Sequence, residues 1–193
     1  MPETSQFALY FAAALLLAVT PGPGIFYVAA RSLAGGRAEG IASSFGTGLG
    51  GLGHVLAGSL GVSALVLASA ELFTALKVAG AAYLVWMGVR TIIVARRDAL
   101  ASLTGDTPPP VGPRRAFREG VLVEALNPKT AAFFLAFIPQ FIDPQGHVAL
   151  QFVALGVVSV LLNTAADIAV ALAASGIRQG AAGRPGLVRR LRE

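Results

Sequence analysis

Residues 5–30 read SQFALYFAAALLLAVTPGPGIFYVAA, an apolar run without a charged side chain that is interrupted by Thr20-Pro21-Gly22-Pro23-Gly24. The run exceeds the roughly 20 apolar residues that a helix needs to cross a bilayer. Two prolines and two glycines cannot continue an ordinary helix, because each proline removes a backbone donor and collides with the preceding turn. The stretch therefore predicts a membrane helix that is broken within the membrane, with a simple kink as the alternative.

Four more apolar segments follow, at residues 41–70, 72–95, 120–142 and 148–177. They are too long for barrel strands and lack an alternation of period two. Hydrophobic residues make up 55% of the chain and charged residues 13%, against about 25% charged in an average soluble domain. Helices satisfy their own backbone in lipid, so we expect an all-α, polytopic transmembrane helical bundle. Residues 1–30 contain no Lys or Arg, which favours a retained first span over a signal peptide.

A polar linker over residues 96–118 divides the chain. It is rich in proline, has arginine at both ends, and separates a first half, 1–95, from a second half, 119–193. The first half contains three apolar segments and the second contains two, followed by the basic ending RPGLVRRLRE. Two interpretations of this ending fit the residues equally well: a finished protein with a basic tail, and a chain cut before a sixth helix.

A second break is expected at Asn127-Pro128-Lys129, within the fourth apolar segment. The two breaks lie in the first span of each half, and matched broken helices are the sequence sign of a transporter substrate site. Freed amides and helix N-termini favour a carboxylate, and freed carbonyls favour an ammonium group. The predicted substrate-binding residues are Thr20, Pro21, Gly22, Pro23, Gly24, Asn127, Pro128 and Lys129. The alternative is that the fourth span begins at Pro128, with Lys129 at the membrane interface.

Ionisable side chains inside apolar spans are candidates for function by default. Asp167, Glu124 and His54 are the predicted proton-coupling residues, and Lys129 lies at the second break. Asp167 has no basic residue in its own helix and is the better proton carrier. Glu124 is the better partner for Lys129 or for a substrate ammonium. The structural alternatives are a Glu124–Lys129 pair one turn apart, and an Asp167 bonded locally by Asn163 and Thr164.

A row of glycines occupies the second apolar segment. A phosphate-binding loop would require a following Gly-Lys-Ser/Thr, which is absent, so the row favours close helix packing through small residues. The packing spacings are Gly46–Gly50 and Gly53–Ala57–Gly61.

The arginines lie on one side of the predicted topology, in the 31–40 loop, the 96–118 linker and the segment after residue 177. Basic loops face the cytoplasm, so the linker is predicted to be cytoplasmic and the N-terminus outside. The formal net charge of +5 therefore reflects membrane orientation, and no nucleic-acid partner is expected. There is no cysteine and there are two histidines, so no disulfide, soft-metal site or cofactor is expected.

Three motifs in order carry a resemblance to a known family. They are Pro21-Gly22-Pro23, the stretch Leu76-Lys77-Val78-Ala79-Gly80-Ala81-Ala82-Tyr83-Leu84, and Leu126-Asn127-Pro128-Lys129 with Phe133-Phe134 after it. Together they resemble the LysE/RhtB family of amino-acid exporters over essentially the whole chain. The resemblance implies a multi-pass protein of the bacterial inner membrane, usually with six predicted spans, that exports amino acids or related metabolites by proton exchange.

The partners implied by this interpretation are a small amino-acid-like substrate, protons and the lipid bilayer, and a homodimer is compatible with it. Three other functions remain as alternatives. A cation or metal exporter of the same superfamily is disfavoured by the lack of cysteine and of histidine clusters. An intramembrane enzyme would need a Gly-x-Ser-Gly elbow, for which Ser59 near His54 is a weak substitute. A non-transporting membrane anchor would have no need of two broken spans.

Overall fold

The computed structural model describes residues 4–101 and 109–182, and over these ranges it consists of helices without a strand. The helices, in chain order, are α1 Thr4–Val19, α2 Pro23–Gly35, α3 Arg37–Ala68, α4 Ala70–Ala101, α5 Pro113–Ala125, α6 Pro128–Ala132 and α7 Val148–Ala182. Helix α6 continues as a π-helix, Phe133–Phe137, and a 3₁₀ turn, Ile138–Phe141. The all-α bundle expected from the sequence is confirmed. The linker residues 102–108 and the chain after residue 182 lie outside the described residues.

The first predicted break separates α1 from α2, which are bent by 45° with respect to each other. Pro23 is the first residue of α2, a position where a missing N–H costs nothing because that amide has no partner within the helix. Gly22 precedes it in extended conformation, and no side chain caps the helix. The N-terminal amides of α2 are therefore left for another acceptor.

The second predicted break separates α5 from α6, with a bend of 44°. Pro128 again begins the new helix, but here Asn127 caps it, because its Oδ1 accepts a hydrogen bond from the Lys129 amide at 3.1 Å. The described part of each half thus opens with a helix pair broken at a proline. The N-terminus of α6 is capped by a side chain, whereas that of α2 is not.

The membrane spans can be counted by length and composition in the described residues. Arg37–Ala68 and Val148–Gly180 each qualify, and the number rises to four if each bent pair crosses once. These four correspond to the predicted first, second, fourth and fifth apolar segments. The span predicted over residues 72–95, which falls in α4, is not among them and stays a prediction.

Helix α3 packs most extensively against α5 and α7. A Cβ atom built on Gly50 would lie 2.6 Å from the Val121 carbonyl oxygen and 3.0 Å from the Ala125 amide nitrogen. The two backbones therefore touch, as the Gly46–Gly50 spacing predicts. The same prediction is wrong for Gly53 and Gly61, which have no described atom within 4 Å of the corresponding position. Both residues are exposed on α3.

We expect Gly50→Ala to destabilise the protein by about 1–3 kcal/mol, because the added methyl group meets backbone that cannot rotate aside. Gly53→Ala is the matched control, with the same chemical change in the same helix and open space around it. When thermal unfolding is measured in detergent, only Gly50→Ala should melt at a lower temperature than the parent. Equal melting temperatures for the two variants would contradict the α3–α5 contact.

One end of the bundle is closed by a segment that we call the strap, Pro109–Gly112. Buried Glu39 accepts hydrogen bonds through Oε1 from the amides of Val111, at 2.9 Å, and Gly112, at 2.7 Å. Arg31 donates to the Pro109 carbonyl at 3.2 Å and lies 3.9 Å from Glu39 Oε2. The strap thus joins the end of the linker to the α2–α3 turn.

The turn between α2 and α3 depends on Gly36, whose φ of 76° is strained for any residue with a side chain. A Cβ atom there would also lie 2.8 Å from an Arg178 guanidinium nitrogen. The α2–α3 turn, the end of the linker and the last described part of α7 therefore meet at one end of the molecule. This is the grouping that the arginine distribution predicts.

Candidate functional site

Lys129 joins the two breaks. Its ammonium group donates to the carbonyl oxygen of Leu17 at 2.9 Å and to that of Thr20 at 2.6 Å. These carbonyls lie at the C-terminal end of α1, where the negative end of the helix dipole favours a cation. The predicted proximity of the two breaks is confirmed by these bonds. An ammonium carries three donors, so one remains for another acceptor.

Glu124 lies in the last turn of α5 with 2% of its surface exposed. Its Oε2 accepts from the Asn127 amide at 3.0 Å, and its Oε1 accepts from the Thr130 hydroxyl at 2.6 Å. Among the described residues it forms no ion pair with Lys129, so the direct pair offered as a structural alternative is not formed. The break between the two residues changes the helix direction, and the spacing of one turn therefore does not bring their charges into contact.

The carboxylate of Glu124 also faces the first break. A Cβ atom on Gly24 would lie 2.8 Å from Glu124 Oε2. Glycine at this position thus lets α2 approach the buried carboxyl group closely. The first break contributes an uncapped helix N-terminus and the second contributes an acid and a base.

His54 lies on α3 beside the second break. Its Nε2 is 2.9 Å from the carbonyl oxygen of Glu124, which can only accept, so the ring donates. The ring also lies against Phe134, with the two ring centroids 5.9 Å apart. His54 therefore supports the end of α5 and bonds neither carboxyl group of the site.

Asp167 on α7 is fully buried, and its Oδ2 accepts from the Thr47 hydroxyl at 2.7 Å. Its Oδ1 has no hydrogen-bond partner among the described residues. The local alternative, in which Asn163 and Thr164 satisfy this carboxyl group, is wrong. The donor comes instead from α3, across the bundle. Thr47 was missed in the sequence, where its only signal is a hydroxyl group within the glycine row.

Two small cavities, of about 30 Å³ and about 20 Å³, lie between the breaks. Both are lined by Leu17, Glu124, Thr130 and Asn163. The smaller one reaches the first break and is completed by Gly22, Gly24, Ile25, Asn127 and Lys129. The larger one extends away from it and is completed by Ala14, Ala18, Thr47, Gly48, Gly51, Phe133, Phe134, Ser159 and Val160.

These volumes suit about one water molecule each and are too small for a metabolite. A solute of that size would enter only if the helices around the cavities moved apart. A larger space of about 360 Å³ between α4 and α6 is open and lined by apolar residues and Tyr83. It offers few groups that could orient a polar ligand, so the small polar cavities are the candidate site.

An aromatic cluster borders the larger of the two small polar cavities. Fully buried Tyr10 packs on the rings of Phe133, Phe137 and Phe141 at centroid distances of 5.2–6.3 Å. Its hydroxyl donates to the Leu155 carbonyl at 2.7 Å and hydrogen-bonds to Ser159. Phe133 and Phe137 bound the π-helix, a rare form that is frequent at functional sites. No motif or spacing in the sequence distinguishes Tyr10 as a site residue.

No group of three or more His, Asp or Glu side chains is placed to hold a metal ion within residues 4–101 and 109–182. The ionisable side chains near the cavities are instead spaced around them, each with partners of its own. The site therefore offers separate positive and negative regions.

Comparisons with known proteins agree on one family. A family model described as LysE type translocator matches residues 15–187. An uncharacterized membrane protein of Vibrio cholerae is 32% identical over 80% of this chain and 73% of its own length. The homoserine/homoserine lactone efflux protein of Salmonella typhimurium is 33% identical over the same shares. The leucine efflux protein of Klebsiella pneumoniae is 24% identical over 72% of this chain and 64% of its own. No solved structure matches.

Proposed function

The chain belongs to the LysE-type translocator family, a family of membrane transporters rather than enzymes, and from this premise we propose that it exports a small zwitterionic metabolite. The proposed substrate is an amino acid or a close chemical relative, and the membrane is the bacterial inner membrane. Two relatives bear the names of efflux proteins for homoserine or its lactone and for leucine. Their names support the direction of transport and the class of substrate.

The proposal is carried by one observation: opposite charges face the same small cavity. Lys129 and the uncapped N-terminus of α2 line one part, and Glu124 lines another. A helix N-terminus and an ammonium both stabilise a carboxylate. Each oxygen of the Glu124 carboxylate already accepts one hydrogen bond. It can still accept another from a substrate ammonium, because a carboxylate oxygen has two lone pairs. A zwitterion would therefore find both of its charges matched.

Transport against a gradient also requires a source of energy. The sequence contains no nucleotide-binding motif, and proton exchange needs only a carboxyl group that is neutral in one conformation and charged in another. We assign this role to Asp167, because one of its oxygens is buried without a partner while the other is held by Thr47. Glu124, with both oxygens bonded, is assigned to the substrate ammonium. His54 is assigned to the support of Glu124 rather than to proton transfer.

Efflux from cells preloaded with a panel of labelled amino acids tests the function. We expect at least one of them to leave faster than from cells that carry the empty vector, in proportion to the amount of protein in the membrane. Export of a divalent cation and of no amino acid, measured in the same cells, would overturn the proposal.

We propose that the strap faces the cytoplasm and the N-terminus faces the outside, on the basis of the arginine distribution. The chain has no cysteine, so a single Arg114→Cys substitution, at an exposed residue of α5, can be labelled without background. The cysteine should react with a membrane-impermeant thiol reagent only after the cells are broken. Reaction in intact cells would reverse the assignment.

A further inference from the structure

Helix α7 carries a row of polar side chains along the candidate site, with Thr164 beside it. Ser159, Asn163 and Asp167 are spaced by four residues, a spacing that places them one above another on a single helix face. Ser159 and Asn163 line the larger cavity. We call these three residues the polar row of α7.

The outer members of the polar row are bonded to other helices. Ser159 hydrogen-bonds to Tyr10 on α1, and Asp167 accepts from Thr47 on α3. Asn163 makes no hydrogen bond to any of the described residues, although it is only partly exposed. Asn163 lines both cavities, so its unbonded amide is available to a ligand that enters them.

Asn163 occupies the wall that the two cavities share. If the substrate carboxylate lies at Lys129 and α2, and its ammonium at Glu124, the side chain of the substrate extends into the larger cavity. That cavity has apolar walls at Phe133, Phe134 and Val160. Asn163 also lines this cavity, with its amide NH2 and its carbonyl oxygen unbonded.

We propose that Asn163 is a specificity-determining residue, whose amide hydrogen-bonds a polar group on the side chain of the exported amino acid. This inference rests on the proposed function. The inference adds a chemical requirement to the proposed function. A substrate with a short side chain that carries a hydroxyl or carbonyl group is preferred to one with a hydrocarbon side chain of the same shape. A site with a buried polar group rejects a ligand that leaves it unpaired more strongly than a purely apolar site rejects an extra methylene.

The test uses purified protein in proteoliposomes loaded with the amino acid that the protein exports best. Threonine and valine have nearly the same shape, and each is measured as an inhibitor of efflux from the loaded side. In the parent protein we expect threonine to inhibit at about tenfold lower concentration than valine, the factor that about 1.4 kcal/mol of binding energy gives. In Asn163→Leu, which keeps the branching and replaces the amide with two methyl groups, the two amino acids should inhibit equally. Asn163→Ser should keep part of the preference.

A stability measurement separates this role from a structural one. Asn163→Leu removes no bond within the described protein, so its melting temperature should not fall. Asn127→Leu is the matched control and should melt lower, because Asn127 bonds both Glu124 and the Lys129 amide.

An unchanged threonine-to-valine ratio in a folded Asn163→Leu variant would overturn the inference and leave the export function intact. Equal inhibition of the parent protein by threonine and valine would also overturn the inference and leave the export function intact. A parent protein that exports no amino acid would contradict the proposed function and the inference together.

Discussion

Replacing Lys129 with glutamine should reduce export by about 100-fold, since removing one partner of the charge pair proposed between Lys129 and the substrate carboxylate costs about 2–5 kcal/mol. The ammonium is held by the carbonyls of Leu17 and Thr20 at the end of α1. Glutamine is shorter and uncharged, so it would neither bond both carbonyls nor attract a carboxylate. The measurement is the initial rate of efflux at equal abundance in the membrane.

Lys77→Gln is the matched control for this change. Lys77 lies on α4 over the ring of Phe73, with its ammonium 5.5 Å from the ring centroid, and lines neither small cavity. It should export at the rate of the parent. Retention of more than a tenth of the parent rate by Lys129→Gln would exclude Lys129 from the substrate site.

The second large effect is expected for Asp167→Asn. Asparagine keeps the shape and can still accept from Thr47, but it cannot ionise, so a proton carrier at this position would be lost. We expect export against a concentration gradient to stop, while exchange of labelled for unlabelled substrate across the membrane continues. The measurement compares uphill efflux under an imposed pH gradient with counterflow in proteoliposomes.

Asp143→Asn makes the same chemical change at an exposed residue before α7 and should preserve both activities. If Asp167→Asn still drives uphill efflux that collapses with the pH gradient as in the parent, Asp167 is not the carrier. Loss of counterflow together with uphill efflux would indicate that the ionised carboxylate of Asp167 is needed for substrate binding or folding, and not for proton coupling alone.

The breaks could be predicted from the sequence because their cause is local. Pro21, Pro23 and Pro128 interrupt a helix whatever surrounds them. The approach of the two breaks was also predictable, from their matched positions in the two halves. Helical spacing does not predict side-chain contacts across a break. Glu124 and Lys129 are about one turn apart in sequence, but because the chain bends between them, each bonds other residues.

The remaining contacts of the site connect residues far apart in the chain. Thr47 and Asp167 are separated by 120 residues and Tyr10 and Ser159 by 149. No propensity or spacing links such pairs, and only the packing of α1, α3 and α7 brings them together. Asn163 is the clearest case. It was selected because its side chain makes no hydrogen bond to the described residues, and that can be seen only in the structure.

The strap has a consequence for how the chain is made. Glu39 accepts its two hydrogen bonds from amides that follow it by 72 and 73 residues. At a synthesis rate of about 5–20 residues per second, the ribosome needs about 4–15 s to deliver them. During this interval a carboxylate that the finished fold buries is still without its amide partners. The α2–α3 turn therefore acquires these two partners only after the end of the linker has been synthesised.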